Sequence, residues 1–273
     1  MRSATKAIIR VAGYGSRRLP ITKRIEKCML PLGNRPVIDY IVSDCVKAGI
    51  TDIYFIVSGQ ASQLRSFYSR NVELEEVLRA NGKTELADMI IPPTGVTFHF
   101  IEQDLSDGRY GTTIPVWLCR DYVSEDELVL VMMGDDVTYA REGGSDIEHL
   151  VSLGSPAILG LPVEEGDLSS YGVIAQSDEG IFTSIVEKPA PGTEPSRIIN
   201  VSKYVLPGTF MSYADASVQR GANAGGEFFI TDPINDMVAD GTALKVVQAR
   251  GTYLDTGTVE AWVHANQWLL ENS

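Results

Sequence analysis

The stretch Lys6-Ala-Ile-Ile-Arg-Val-Ala-Gly-Tyr-Gly-Ser-Arg-Arg18 decides the fold of this 273-residue chain. Residues 6–11 form a β-branched, apolar run suited to a buried strand, and the glycines that follow break it. Pro36 then stands at an expected first helical position. Val37, Ile38, Ile41, Cys45 and Val46 follow at helical spacing, and Gly49 is the stop signal. Residues 52–57, Asp-Ile-Tyr-Phe-Ile-Val, read as the next strand. Strand, crossover helix and strand in so few residues make a βαβ unit, hence a parallel sheet. The fold class read from this is α/β, with a Rossmann-like, mainly parallel mixed sheet flanked by helices.

Working outward, residues 60–90 read as helical and charged, 96–101 as a strand and 114–118 as the opening of a helix. Leu128-Val-Leu-Val-Met-Met133 is a continuous apolar run, the mark of a central parallel strand buried on both faces. It ends at Gly134-Asp135-Asp136, placing two carboxylates at the carboxyl edge of the sheet, where open α/β folds bind ligands. Beyond residue 150 the β signals multiply, at 157–161, 172–175, 182–187 and 199–206, before a final helix at 259–270. No repeat or low-complexity linker interrupts the chain. It is therefore read as one domain, residues 1–273, with a functional division near residue 150.

Composition narrows the function. The formal net charge of −13, from 23 basic and 36 acidic residues, repels nucleic-acid backbones and argues against a general DNA or RNA binder. No segment reaches the ~20 consecutive apolar residues of a membrane span, and the first apolar run is too short for a signal peptide. Cys28, Cys45 and Cys119 are odd in number and lack paired spacing, which points to a reduced, cytoplasmic chain without a disulfide framework or zinc site. Against the acidic background, Arg10, Arg17, Arg18, Lys23, Arg24 and Lys27 crowd into the first tenth of the chain. They form either a solvated basic loop or a pocket for a small polyanion.

The motifs each carry two readings. Gly13-Tyr14-Gly15 after a strand is a tight turn, or a loop whose N–H groups approach phosphate oxygens. Arg18 occupies the third-glycine position of a dinucleotide fingerprint, and no Gly-Lys-Ser/Thr of a Walker A loop occurs, so both of those readings fail. Gly134-Asp135-Asp136 is an Asp-rich turn or a Mg²⁺ site, because hard cations want oxygen ligands. Glu187-Lys188 reads by itself as a solvated surface pair and carries almost no information. Asp255 lies in Leu254-Asp-Thr-Gly-Thr258, a helix cap or a second metal carboxylate. His99, His149 and His264 sit in no metal-ligand pattern, and no Gly-x-Ser-x-Gly supports covalent hydrolase chemistry.

Taken in order, these elements resemble the sugar-nucleotide pyrophosphorylases, and among them the bacterial UTP–glucose-1-phosphate uridylyltransferases. The residues that carry the resemblance are Val11-Ala-Gly-Tyr-Gly-Ser-Arg-Arg-Leu-Pro-Ile-Thr-Lys23 and Lys27-Cys-Met-Leu-Pro31. They are similar to the family's Ala-Gly-x-Gly-Thr-Arg-x-Leu-Pro-x-Thr-Lys signature and its Lys-Glu-Met-Leu-Pro continuation. Further likeness lies at Tyr171-Gly172-Val173, Glu187-Lys188-Pro189, Tyr204-Val-Leu206, Glu227, Thr231-Asp232 and Asp255-Thr-Gly257. The resemblance implies a nucleotide-diphospho-sugar transferase (GT-A-like) fold with a β-rich sugar-binding part. It also implies Mg²⁺ as cofactor, UTP or dTTP and a sugar-1-phosphate as partners, and a homo-oligomer, dimer or tetramer.

It further implies roles for single residues. Ala12 and Gly13 offer backbone groups to the base, Gln103 reads its edge, and Gly108 belongs to the base-side loop. Gly15, Ser16 and Arg17 hold the triphosphate, and Lys27 reaches the phosphates at the reaction centre. Asp135 and Asp255 bind the metal. Gly172, Glu187 and Ser202 meet the sugar, and Lys188 its phosphate. The chain departs from the pattern at Arg10, Glu26, Cys28, the loop 107–113, and Ser202-Lys203. These departures touch base and sugar recognition, leaving a thymidylyltransferase, another sugar-1-phosphate or a non-catalytic regulatory paralogue as alternatives.

Overall fold

The computed structural model describes residues 3–59, 61–140 and 144–272. Its centre is a nine-stranded mixed sheet. The strands are β1 (Lys6–Arg10), β2 (Asp52–Val57), β3 (Thr97–Glu102), β4 (Leu128–Met133), β5 (Ala157–Pro162), β6 (Gly172–Gln176), β7 (Phe182–Glu187), β8 (Ile198–Pro207) and β9 (Lys245–Gln248). The path runs β7-β6-β8-β4-β1-β2-β3, with β5 beside β8 and β9 beside β5. β4, β1, β2 and β3 pair in parallel, so their carboxyl ends share one edge. β8 runs antiparallel to β4, β5 and β6, stitching the second half of the chain onto the first.

The continuous apolar runs are explained by burial on both faces. Ala7, Ile9, Phe55, Leu130 and Met132 enter one core, and Ile8, Ile56, Val129 and Val131 enter the other. Helices Val37–Lys47, Asp146–Ser152 and Val259–Asn272 cover the first face, contributing Ile38, Ile41, Leu150 and Leu269. Helices Thr113–Leu118, Phe210–Arg220 and Thr231–Ala239 cover the second with Val116, Phe210, Met211 and Ile234. Each fully buried side chain of this kind is worth about 1.5–3 kcal/mol.

Several elements differ from the sequence reading. Pro36 precedes the first helix rather than opening it. It is extended (φ −62°, ψ 147°) and pairs with Pro31, so the helix starts at Val37. The helical region expected at 60–90 is three short helices, Ser62–Phe67, Val72–Ala80 and Thr84–Met89, and Gln60 lies outside the described residues. The chain also carries the helices Asp146–Ser152, Phe210–Arg220 and Thr231–Ala239, which the reading had not marked. Among the described residues no helix is long and apolar enough to cross a membrane.

Candidate active site

Above the carboxyl edge of the parallel strands lies a cavity of about 660 Å³. Its first wall is the loop after β1. Val11 and Ala12 donate their N–H groups to the Ile56 carbonyl at 3.0 and 2.7 Å, which turns the chain away from the sheet. Gly15 is left-handed (φ 61°), and a Cβ there would stand 2.9 Å from the Thr22 side chain. Only glycine fits both constraints. The following turn, Ser16–Arg18, leaves Arg17 exposed with its guanidinium beside Gly257 in the cavity wall, while Arg18 is buried.

The floor is the end of β4. A Cβ on Gly134 would lie 2.5 Å from Val11 Cγ1, so glycine is what lets the strand end pass against β1. Asp135 follows, and its Oδ2 accepts from Arg18 Nη2 at 2.9 Å and from Lys27 Nζ at 3.0 Å. Burial works to raise this carboxyl, but Lys27 and then Arg18 outweigh it and hold Asp135 down at about 2. Asp136 next door is raised by burial first and by the charge of Asp135 second, and its Oδ1 accepts from the Tyr253 hydroxyl at 2.8 Å. A two-stranded ladder, Asp136–Tyr139 with Thr252–Asp255, pairs Asp136 with Asp255 and so brings that distant carboxylate to the floor.

The far wall comes from β6, β7 and β8. Gly172 faces Glu187 in register, and a Cβ on Gly172 would sit 3.0 Å from Glu187 Oε1. Burial raises the Glu187 carboxyl. At the irregularity in β8, Ser202 is left-handed (φ 52°) and its N–H donates to Asn200 Oδ1 at 2.9 Å. The buried Lys203 ammonium reaches back to the Asp136 carbonyl at 2.9 Å, fastening the far wall to the floor. Burial lowers the Lys203 ammonium.

Of the residues singled out from sequence, Ala12, Gly13, Gly15, Ser16, Arg17 and Lys27 line the near side of this cavity. Asp135, Asp255, Gly172, Glu187 and Ser202 line its floor and far side. Three stand elsewhere. Gln103 is buried in the neighbouring cleft beside Gly13 and Lys27, its Nε2 donating to the Arg109 carbonyl at 3.3 Å and its Oε1 without a partner among the described residues. Gly108 (φ 78°) ends the exposed turn Leu105–Asp107, outside both linings. Lys188, also left-handed (φ 48°), holds its ammonium 5.5 Å from the ring of Phe229, which does line the cavity.

The sequence reading placed Arg18 among the basic residues of the loop and Asp136 beside Asp135 at the strand end, but missed the burial of Arg18, the part of Tyr253 and the inward reach of Lys203. Basic residues in a loop look solvated, and no local signal tells a buried guanidinium from an exposed one.

The carboxylates suit a hard divalent cation. Asp135 spends Oδ2 on two cations and leaves Oδ1 without a partner among the described residues; Asp255 accepts the Gly257 N–H on Oδ1 at 2.7 Å and leaves Oδ2. Among the described residues no cluster of three or more His, Cys, Asp or Glu could cage a metal by itself. Two carboxylates beside a cation-lined cavity match Mg²⁺, which keeps waters and binds one or two carboxylates together with substrate phosphates.

The sequence profile of the nucleotidyl transferase family matches residues 6–272. The UTP–glucose-1-phosphate uridylyltransferase of Bacillus subtilis is 33% identical over 249 residues, 87% of this chain and 81% of that protein. The enzyme of that name from Escherichia coli is 30% identical, covering 95% of this chain and 88% of its own. The structure of a UTP-bound UGPase from Acinetobacter baumannii superposes with a TM-score of 0.84 at 27% identity, over 97% of this chain and 93% of that one.

Proposed function

The chain belongs to the nucleotidyl transferase family, and we propose that it joins UTP to glucose-1-phosphate, giving UDP-glucose and pyrophosphate. One observation carries the reading: a single cavity is lined by a cationic glycine loop, by Gly172, Glu187 and Ser202, and by the carboxylates of Asp135 and Asp255. Residues 1–150 serve the nucleotide and 151–273 the sugar phosphate. That the cavity wall is built from both halves supports this division.

The reaction is a direct displacement. A phosphate oxygen of glucose-1-phosphate attacks the α-phosphorus of UTP in line, the bond to the β-phosphate oxygen breaks, and pyrophosphate leaves. Such chemistry needs positioning and charge stabilisation more than covalent help. The N–H groups of Gly15 and Ser16 and the guanidinium of Arg17 hold the triphosphate. Lys27 stabilises charge that grows on the phosphates, and Ala12, Gly13 and Gln103 hold the base. The unsatisfied Gln103 Oε1 supports this, since it can accept the N–H of a uracil ring. Gly108 orders the base-side loop. Gly172, Glu187 and Ser202 read sugar hydroxyls, and Lys188 pairs with the sugar phosphate. Asp135 and Asp255 hold Mg²⁺, which when bound neutralises and aligns the phosphates.

A cytoplasmic homo-oligomer is part of the same reading. The free, buried cysteines Cys28, Cys45 and Cys119 support a reducing compartment. The test is pyrophosphate release with Mg²⁺ across UTP and dTTP and a panel of sugar-1-phosphates. Release confined to UTP with glucose-1-phosphate supports the reading. Release with another pair reassigns the specificity to the departures at 107–113 and Ser202. No release with any pair refutes turnover.

A further inference from the structure

One buried charge has no part in the chemistry above. Arg18 is 2% exposed, and a guanidinium so buried must find acceptors for its donors. It finds them on three separate segments. Nε donates to the Gly257 carbonyl at 3.3 Å, Nη1 to the Lys27 carbonyl at 3.2 Å, and Nη2 to Asp135 Oδ2 at 2.9 Å. Arg18 itself belongs to the glycine-loop turn. A single side chain therefore ties together the four segments that carry Arg17, Lys27, Asp135 and Asp255. In the signature this chain resembles, position 18 is the open one between arginine and leucine, so no inherited role accounts for a buried cation there.

We propose that Arg18 is a positioning residue and a built-in counter-cation. It clamps the four segments of the site, and by sitting on Asp135 it weakens metal binding to the free protein, so that the divalent ion arrives with the nucleotide. The inference rests on the reading of Asp135 as a metal carboxylate. The rigid fork of Arg can serve three acceptors at once, which Lys with its single ammonium cannot do in the same geometry. A fixed cation on one carboxylate oxygen also repels a second cation drawn to the other. Two such charges a few ångströms apart near a protein surface interact strongly enough to change affinity by ~10-fold or more. Triphosphate oxygens supply what the carboxylates alone then lack.

The test measures Mn²⁺ binding without nucleotide, by loss of the free-ion EPR signal, in the full-length protein and its Arg18→Gln, Arg18→Met, Arg18→Lys and Asp135→Asn variants, with thermal melts as the folding control. The neutral Gln and Met variants are expected to bind Mn²⁺ about 10-fold more tightly than the parent. Arg18→Lys, which keeps the charge and loses the fork, is expected to bind within about 3-fold of the parent yet turn over about 10-fold more slowly, with KM for both substrates little changed. Equal Mn²⁺ affinity in parent and neutral variants, abolished by Asp135→Asn, overturns the counter-cation role alone. No binding by parent or neutral variants at millimolar Mn²⁺ overturns the metal reading of Asp135 and this inference with it. Should the neutral variants not fold, Arg18→Lys still decides: kcat equal to the parent's overturns the clamp.

Discussion

Replacing Lys27 with methionine isolates one cation of the site. The Lys27 ammonium lies 3.0 Å from Asp135 Oδ2 and is 10% exposed. Its stem packs under the glycine loop, with Cβ 3.3 Å from where a Cβ on Gly15 would be. Methionine keeps that apolar stem, and the Lys27 carbonyl that accepts from Arg18 is unaffected. Asp135 also retains its bond from Arg18, so the carboxylate is not left unpaired. Losing one charged hydrogen bond then costs about 1.5–3 kcal/mol of stability, which for a chain of this size lowers Tm by roughly 5 °C. The catalytic loss is larger. A single electrostatic donor at a reaction centre contributes ~2.7–4 kcal/mol to the transition state, so kcat should fall by about 10²–10³. Steady-state pyrophosphate release under saturating UTP, glucose-1-phosphate and Mg²⁺ reads the effect, beside a melt to show the variant is folded. Turnover within about 3-fold of the parent, in a folded variant, would refute the role of Lys27 and the reading of the cavity as a phosphate site.

Other substitutions probe the remaining walls. Asp255→Asn removes one of the two carboxylates, and the Mg²⁺ concentration for half-maximal rate should rise at least ~10-fold; an unchanged metal titration contradicts its assignment. Glu187→Gln should raise KM for the sugar phosphate by about 10-fold or more while leaving KM for UTP in place, and an effect on UTP alone would put Glu187 on the wrong side of the site. Gly111 packs so closely that a Cβ would lie 2.3 Å from the Phe228 carbonyl oxygen; Gly111→Ala should cost about 1–3 kcal/mol of stability in a urea titration, and an unchanged midpoint would rule out that close packing.

Asp44 tests burial through pH. Burial raises its carboxyl from 3.8 to about 6. A carboxyl raised in the folded state is protonated in both states below about pH 4, and its stability is lost as pH rises through about 6. Asp44→Asn should thus match the parent near pH 4 and exceed it by up to ~3 kcal/mol near pH 8. A variant no more stable than the parent at pH 8 would argue against this.

The parallel core was legible because burial on two faces leaves an unbroken apolar run, as in Leu128–Met133, and no surface strand of this fold needs one. The three helices Asp146–Ser152, Phe210–Arg220 and Thr231–Ala239 were harder. Asp146–Ser152 had a usable signal in Ser145 and Glu148, whose reciprocal bonds cap it, Glu148 Oε2 accepting from the Ser145 N–H at 2.9 Å. Phe210–Arg220 and Thr231–Ala239 bury four residues each, but the polar Ser217 and Thr231 are among them, which dilutes the apolar periodicity. Within the site, Gly13 and Gly15 follow from the turn after one buried strand and Asp135 from the end of another, each read from its own local stretch. The meeting of Asp255 with Asp136 depends on a ladder between segments more than a hundred residues apart, which no local pattern encodes. The burial of Arg18 is likewise a tertiary fact, set by carbonyls of Lys27 and Gly257 that carry no sequence signature. Gly108 and Lys188, taken from resemblance alone, stand outside the cavity lining, where the base-side loop and the Phe229 ring place them.

The most direct measurement is product analysis by chromatography and mass spectrometry after incubating the purified protein with UTP, glucose-1-phosphate and Mg²⁺. The account predicts UDP-glucose and pyrophosphate in equal amounts, with neither formed when any one component is left out. UMP and pyrophosphate without a sugar nucleotide, or UTP recovered unchanged, would contradict it.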